Sequence, residues 1–336
     1  MPRYCFEDLT PGFRLDFGPL EVSRDDIVAF AREFDPQGFH IDEAEAETSF
    51  VGGLIASGWH TCALGMRLVA DGFILQSSSM GSPGIEAVRW LRPVRPGDAL
   101  SMRMSVTESR PSGSKPDRGF VRVLLEIVNG AGQPVMTQDF WAMFGRRGTP
   151  PLPPRPRPPE EPAPTDLPEG EALPSGYLED MPLDRTFDLG AHHFTRDDIL
   201  RFARAFDPQP FHVDEAAAAE THFGGLCASG WHTAAAWMKR MVAGRDRGRA
   251  LALQRGEPVV EGGPSPGFRD LQWLKPVYAG DTIRYDVTLT EARPSRTRPG
   301  WGVVSHTATG TNQRGETAFR FAGVWLAPSR AINYKS

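Results

Sequence analysis

Apolar residues change period several times along this chain, and each change predicts an element. Ile27, Phe30, Ala31 and Phe34 fall at i, i+3, i+4 and i+7, the spacing of one helical face. Ser23, with Asp26 three residues on, supplies a capping-box-like start. Pro36 ends that helix, because the residue before a proline is pushed out of the helical region. Asp35 is thereby placed at a helix exit and His40 on a short loop. Asp42 is positioned to cap a second short helix through Ala46 to Phe50. After the break at Gly52 and Gly53, the pattern from Ser57 to about Val69 is apolar on most faces, as expected of a buried helix. Alternation then takes over. Ile85 to Val94 reads as a strand, Met102, Met104 and Val106 alternate with polar neighbours, and Phe120–Val128 and Val135–Phe144 flank a glycine-rich hairpin turn. One buried helix among antiparallel strands is an α+β unit with a sheet wrapped around the helix.

The pattern then repeats. FAREFDPQGFHIDEAEAETSFVGGLIASGWHT from Phe30 is matched without a gap by FARAFDPQPFHVDEAAAAETHFGGLCASGWHT from Phe202. Asp35 pairs with Asp207, His40 with His212, Gly58 with Gly230 and His60 with His232, all at an offset of 172 positions. Further on, the segment from Trp90 to Asp98 is matched by Trp273 to Asp281 at an offset of 183, so the second copy has gained eleven residues, expected as a loop around 245–263. Between the copies, eleven of the chain's 31 prolines fall between Pro150 and Pro174. That segment reads as an extended, semi-rigid linker. The expected organisation is a first domain over 1–148, a linker over 149–176 and a second domain over 177–336.

Composition narrows the class without changing this picture. The 336 residues are 40% apolar and 24% charged, with a formal net charge of −5. A mildly acidic chain lacks the concentrated basic surface that nucleic-acid binding needs. No apolar run reaches the 18 or so residues of a membrane span, and the N-terminus has no signal-peptide core. Three dispersed cysteines suggest neither a disulfide framework nor a zinc site. A cytoplasmic protein is the expectation.

The repeated residues suggest acid–base chemistry. A carboxylate and an imidazole on one short loop, Asp35 with His40 and Asp207 with His212, can both grip one water. The alternative is that the carboxylate caps the following turn and the histidine bonds to backbone. Gly58 and Gly230 open the buried helices, where backbone N–H groups lack helical partners and the dipole is positive. An N–H there suits a developing oxyanion, although glycine also suits simple packing of the helix start. His60 and His232 read as core residues, Trp59 and Trp231 as core or pocket wall, and Arg89, Arg92 and Arg95 as a solvated face or a diphosphate contact.

DPQGFH at 35–40, DPQPFH at 207–212 and the ASGWHT segments that follow resemble the MaoC-like dehydratases, which include the (R)-specific enoyl-CoA hydratases. The resemblance covers both halves and excludes the linker. It implies two hot-dog domains in tandem, a double hot dog equivalent to the homodimer of single-unit relatives. It also implies reversible addition of water to a 2-enoyl-CoA, or its acyl-carrier-protein counterpart, giving a 3-hydroxyacyl thioester. Carried over, Asp35 and Asp207 are general acid and base, His40 and His212 hold the water, and the Gly58 and Gly230 amides polarise the carbonyl. No metal or redox cofactor is implied. The family motif has Asn where Gln37 and Gln209 stand, and His where Ser57 and Ser229 stand. The first difference is expected to shift the loop by a methylene and the second to remove a polar group near the carbonyl. Two other readings compete with hydration: a hot-dog thioesterase, and a non-catalytic acyl-thioester-binding protein. Further pairing of double units is left open.

Overall fold

A computed structural model describes residues 2–150, 152–159 and 161–330. Met1, linker positions 151 and 160, and the last six residues of the second expected domain lie outside the described residues.

The first half runs β1 (Arg14–Glu21), α1 (Arg24–Phe34), α2 (Gly38–Ile41), α3 (Glu43–Thr48), α4 (Gly58–Gly72), β2 (Gly84–Trp90), β3 (Ala99–Pro111), β4 (Arg118–Val128) and β5 (Pro134–Gly145). The second runs β6 (Thr186–His193), α5 (Arg196–Phe206), α6 (Pro210–Val213), α7 (Glu215–Glu220), α8 (Gly230–Gln254), β7 (Gly267–Trp273), β8 (Thr282–Pro294), β9 (Trp301–Asn312) and β10 (Thr317–Pro328). The caps form as their sequences require: Ser23 Oγ accepts from the Asp26 N–H at 3.0 Å, and Asp42 Oδ1 from the Glu45 N–H at 3.0 Å. The Asp26 carboxylate differs from a full capping box by accepting from the Ser23 hydroxyl rather than from its backbone.

Strand alternation puts Val121, Val123, Leu125 and Ile127 of β4 on the core face. The buried helix lies against that face closely enough that a Cβ on Gly65 would come 2.7 Å from Ile127 Cδ1. All ten strands form one antiparallel sheet, ordered β1-β3-β4-β5-β2-β7-β10-β9-β8-β6. β2 and β7 make the seam between the halves, with Gly84 opposite Gln272, Val88 opposite Phe268 and Arg89 opposite Gly267. The seam needs two glycines: a Cβ on Gly84 would lie 2.1 Å from Leu271 O, and one on Gly267 2.0 Å from Val88 O.

The eleven extra residues of the second copy do not form one loop. Ten of the positions expected there, 245–254, continue α8, which runs for 25 residues against 15 in α4. Arginine, alanine and leucine dominate that stretch, and these are good helix formers. The linker is also more engaged than a free spacer. Leu173 is buried, its N–H donates to Gly244 O at 2.9 Å, and Arg240 Nε donates to Leu189 O beside it.

The second contact between halves is a layer of aromatic rings. Phe30 meets Phe206 and Phe34 meets Phe202, each pair 5.7 Å between centroids. The same surface is used twice, as a two-fold interface demands. His60 and His232 belong to this layer, stacked on Phe30 at 4.5 Å and on Phe202 at 4.6 Å. They are core residues, as the sequence suggests, but not satisfied ones. Neither ring nitrogen of His60 has a hydrogen-bond partner among the described residues.

Burial lowers the His60 pKa from 6.5 to about 3, so the ring is neutral in the folded chain at moderate acidity. The unfolded chain takes up that proton first. This contribution to stability is therefore complete above about pH 6.5 and is lost as pH falls toward 3. The expected slope is about 1.4 kcal/mol per pH unit for this proton in the intervening range. Thermal melts of wild type and His60→Phe between pH 7 and 4 check it: the variant's decline should be shallower by one proton's worth, and parallel curves would refute the assignment.

Candidate active site

At the C-terminus of α1 the backbone N–H of Asp35 still closes a helical turn onto Ala31 O at 2.8 Å, and Pro36 prevents another. The chain reverses through Gln37 into the single turn α2. His40 is therefore on a short helix rather than on a loop. Asp35 and His40 are 3% and 4% exposed. His40 Nδ1 contacts the Ile55 carbonyl at 2.8 Å, an arrangement that requires Nδ1 to carry the proton and donate. In a neutral ring Nε2 is then an acceptor, and it faces Asp35 Oδ2 at 3.5 Å. Two acceptors at that separation do not bond to each other. They are placed to share one donor.

The Asp35 carboxylate does not cap the following turn. It accepts from Ser57 Oγ at 2.6 Å and from Gln37 Nε2 at 2.8 Å. Ser57 is the N-cap of α4, and its hydroxyl oxygen also accepts from the Trp59 N–H at 3.2 Å. The helix start is thus tied to the carboxylate by one side chain. Gly58 is the first residue of α4, so its N–H has no partner within the helix. The glycine itself has a packing reason, since a Cβ there would come 2.5 Å from Trp90 Cε2.

These groups open onto a cavity of about 540 Å³. Asp35, His40, Gly58 and Trp59 form one wall, whereas Trp237, Met238, Met241 and Arg245 of α8, with Phe321 of β10, form the other. The candidate residues come from one half and the facing wall from the other.

The second site repeats the first. Ser229 Oγ donates to Asp207 Oδ2 at 2.6 Å and Gln209 Nε2 to Asp207 Oδ1 at 2.9 Å. His212 Nδ1 meets Cys227 O at 2.7 Å, and its Nε2 lies 3.4 Å from Asp207 Oδ2. A Cβ on Gly230 would collide with Trp273, whose indole N–H donates to Gly230 O at 2.9 Å. The cavity here is about 350 Å³, with its far wall from α4, β4 and β5 of the first half. Linker residues Leu152 and Arg155 also line it, and Arg155 Nε donates to His222 O at 2.9 Å.

All six candidate residues are therefore brought together, three per cavity. Serine in place of histidine still leaves a polar group in the site: Ser57 and Ser229 turn their hydroxyls onto the carboxylates. The added methylene of Gln37 and Gln209 likewise lets each side chain fold back onto its own loop's aspartate. Sequence reasoning missed both serines as site residues, although a serine just before a helical glycine is an N-cap signal. Of the three arginines, Arg92 reaches the cavity edge and donates to Pro134 O, and Arg95 donates to Val51 O.

Comparison with known proteins bears on the family and the fold. A family model described as MaoC like domain matches residues 8–125 and 180–311. YdeM, an uncharacterized protein of Bacillus subtilis, is 36% identical over 111 residues, covering 33% of this chain and 77% of its own. Among solved structures, a MaoC domain protein dehydratase from Chloroflexus aurantiacus is similar over 98% of this chain and 99% of its own, with a TM-score of 0.77 at 16% identity. A Mycobacterium tuberculosis protein described as having a double hotdog fold covers 96% of this chain and 98% of its own, with a TM-score of 0.68 at 15% identity. At these identities the two structures report the fold: it is a double hot dog.

Since Ser57 both caps α4 and bonds to a buried carboxylate, its loss has a double effect. Ser57→Ala is expected to lower stability by about 1–3 kcal/mol. Ser57→Thr, which keeps the hydroxyl, should recover most of it. Denaturant titration of both variants measures this, and equal losses would show that the hydroxyl bonds carry nothing.

Proposed function

We propose that this chain, which belongs to the MaoC-like domain family, reversibly hydrates a 2-enoyl-CoA thioester to the 3-hydroxyacyl thioester at each of its two sites. The observation that carries the reading is the acceptor pair. An Asp35 oxygen and Nε2 of His40 face one another at 3.5 Å beside the first amide of a helix, and the arrangement occurs twice.

A water between the two acceptors donates one hydrogen to each and is left with its lone pair aimed into the cavity. As its oxygen bonds to C3 of the enoyl group, Asp35 takes a proton from it. The C2–C3 π electrons move toward the thioester carbonyl, where the Gly58 N–H and the positive helix end stabilise the enolate oxygen. Asp35 then returns its proton to C2, so the reaction closes with no net proton exchanged. Dehydration is the reverse. His40 is held in the useful tautomer by Ile55 O, and Asp35 is oriented by Ser57 and Gln37. Asp207, His212 and Gly230 play the same parts in the second site. The proposed chemistry is acid–base throughout and calls on no metal or redox group.

Loss of the enoyl-thioester absorbance band reports the reaction directly. Asp35→Asn combined with Asp207→Asn is expected to lower turnover by about 10²-fold or more, the range for removing a general acid–base group. Each single substitution should leave the other site working. Hydration at wild-type rate by the double variant sinks the proposal, and release of free thiol in place of band loss would point to hydrolysis.

A further inference from the structure

The two cavities share an acid–base set but not their walls. Each far wall belongs to the opposite half, so equivalent wall positions can be matched through the sheet. Val106, Val123 and Phe140 lie side by side across β3, β4 and β5, and Leu289, His306 and Gly323 across β8, β9 and β10. Val123 of the second cavity thus corresponds to His306 of the first. The helices match in the same way, with Gly65 against Trp237 and Phe73 against Arg245.

At these matched positions the first cavity is polar where the second is apolar. The cations that line the second cavity are already bonded, Arg118 to Asp117, Arg155 to the His222 carbonyl and Lys275 to Glu316. His306 is 5% exposed, stacks on Trp237 at 5.7 Å and has no hydrogen-bond partner for either ring nitrogen among the described residues. Trp237 Nε1 also lacks one. A Cβ on Gly323 would strike His306 Cε1 at 2.5 Å, so the strand has given up a side chain to make room for the ring. Arg245 lies on the part of α8 that α4 lacks. Its guanidinium sits 5.4 Å from the Trp325 ring centroid, with no carboxylate in ion-pair contact among the described residues. The Asp35 and Asp246 charges act on it without an ion-pair contact. The exchange in the other direction, Gln138 of β5 for Phe321, gives the second cavity an uncharged amide.

A cation and unpartnered donors in a half-enclosed cavity are costly unless a ligand supplies the complementary acceptor. We infer that the first site takes a 2-enoyl thioester whose acyl chain ends in a carboxylate, received by Arg245 with His306 and the Trp237 indole N–H, while the second site takes an uncharged chain. This rests on the hydratase reading for the reaction but not for the binding. A carboxylate accepts up to four hydrogen bonds and pairs with a guanidinium in a planar fork, which fits the donors on this wall. The larger first cavity has room for the added group.

The test uses a carboxylate-ended 2-enoyl-CoA and a methyl-ended one of equal chain length. Asp207→Asn works only through the first site and should favour the acid by about tenfold or more in kcat/KM; Asp35→Asn should favour the methyl-ended chain. Adding Arg245→Met to Asp207→Asn should cut the acid preference by about 10²-fold, the scale of removing one partner of a buried charge pair. Arg245→Lys, which keeps the charge, should retain its direction. Equal preference at both sites overturns the inference. So does an equal loss on both substrates in Arg245→Met, which would mark a contact to the CoA portion. Should no form hydrate either substrate, the hydratase reading fails, and calorimetric binding of the saturated acid-ended and methyl-ended acyl-CoAs then decides. An acid preference removed by Arg245→Met sustains the inference, and no preference overturns it.

Discussion

The structure depends on the isologous packing of two copies of one unit. Neither half encloses a cavity alone: β2 must find β7, and the Phe30–Phe206 and Phe34–Phe202 pairs must close, before either acid–base set faces a wall. Close approach is what makes that packing specific. Gly84 and Gly267 each leave the space of one side chain to the opposite strand's carbonyl, and such a fit is lost with a single added methyl group. The linker makes the pairing intramolecular. Its contacts along α8 and at the mouth of the second cavity then remove the symmetry that two separate chains would keep.

Within each site one side chain joins stability to chemistry. Ser57 satisfies an orphan N–H at the start of α4 and holds Asp35 with the same oxygen. A buried carboxylate needs donors, and a helix start needs acceptors. Placing the two together answers both needs and fixes the distance between the carboxylate and the first amides of the helix. The same construction recurs at Ser229 and Asp207.

Much of this is written locally and was legible. The period of the apolar positions, the caps at Ser23 and Asp42 and the break at Pro36 are properties of a few neighbouring residues, and each element they indicate is present. The repeat announced two units, and the spacing of Asp35 and His40 brought a carboxylate and an imidazole to one short segment, where they lie 3.5 Å apart. The role of Ser57 was hidden because its partner lies 22 positions away and the N-cap signal does not say where the hydroxyl hydrogen points. Arg245 was hidden for a different reason. An insertion is by default a loop, and only the tertiary fold shows that its first ten residues prolong α8 into the wall of the other half's site.

This crossing has a consequence for how the sites can change. Under the proposed function, the residues that would hold the water and those that would receive the acyl chain of the same site lie on different repeats. A change in the second repeat's sheet, such as histidine at 306 facing glycine at 323, alters what the first repeat's aspartate acts upon and leaves its own acid–base loop untouched. In a homodimer the same substitution would alter both cavities at once. Fusion of the two copies in one chain removes that constraint, so the walls are free to diverge while both aspartates, both histidines and both serines stay in place. The contrast between Arg245 and Phe73, set against the near-identity of the two acid–base sets, is the pattern that such freedom produces.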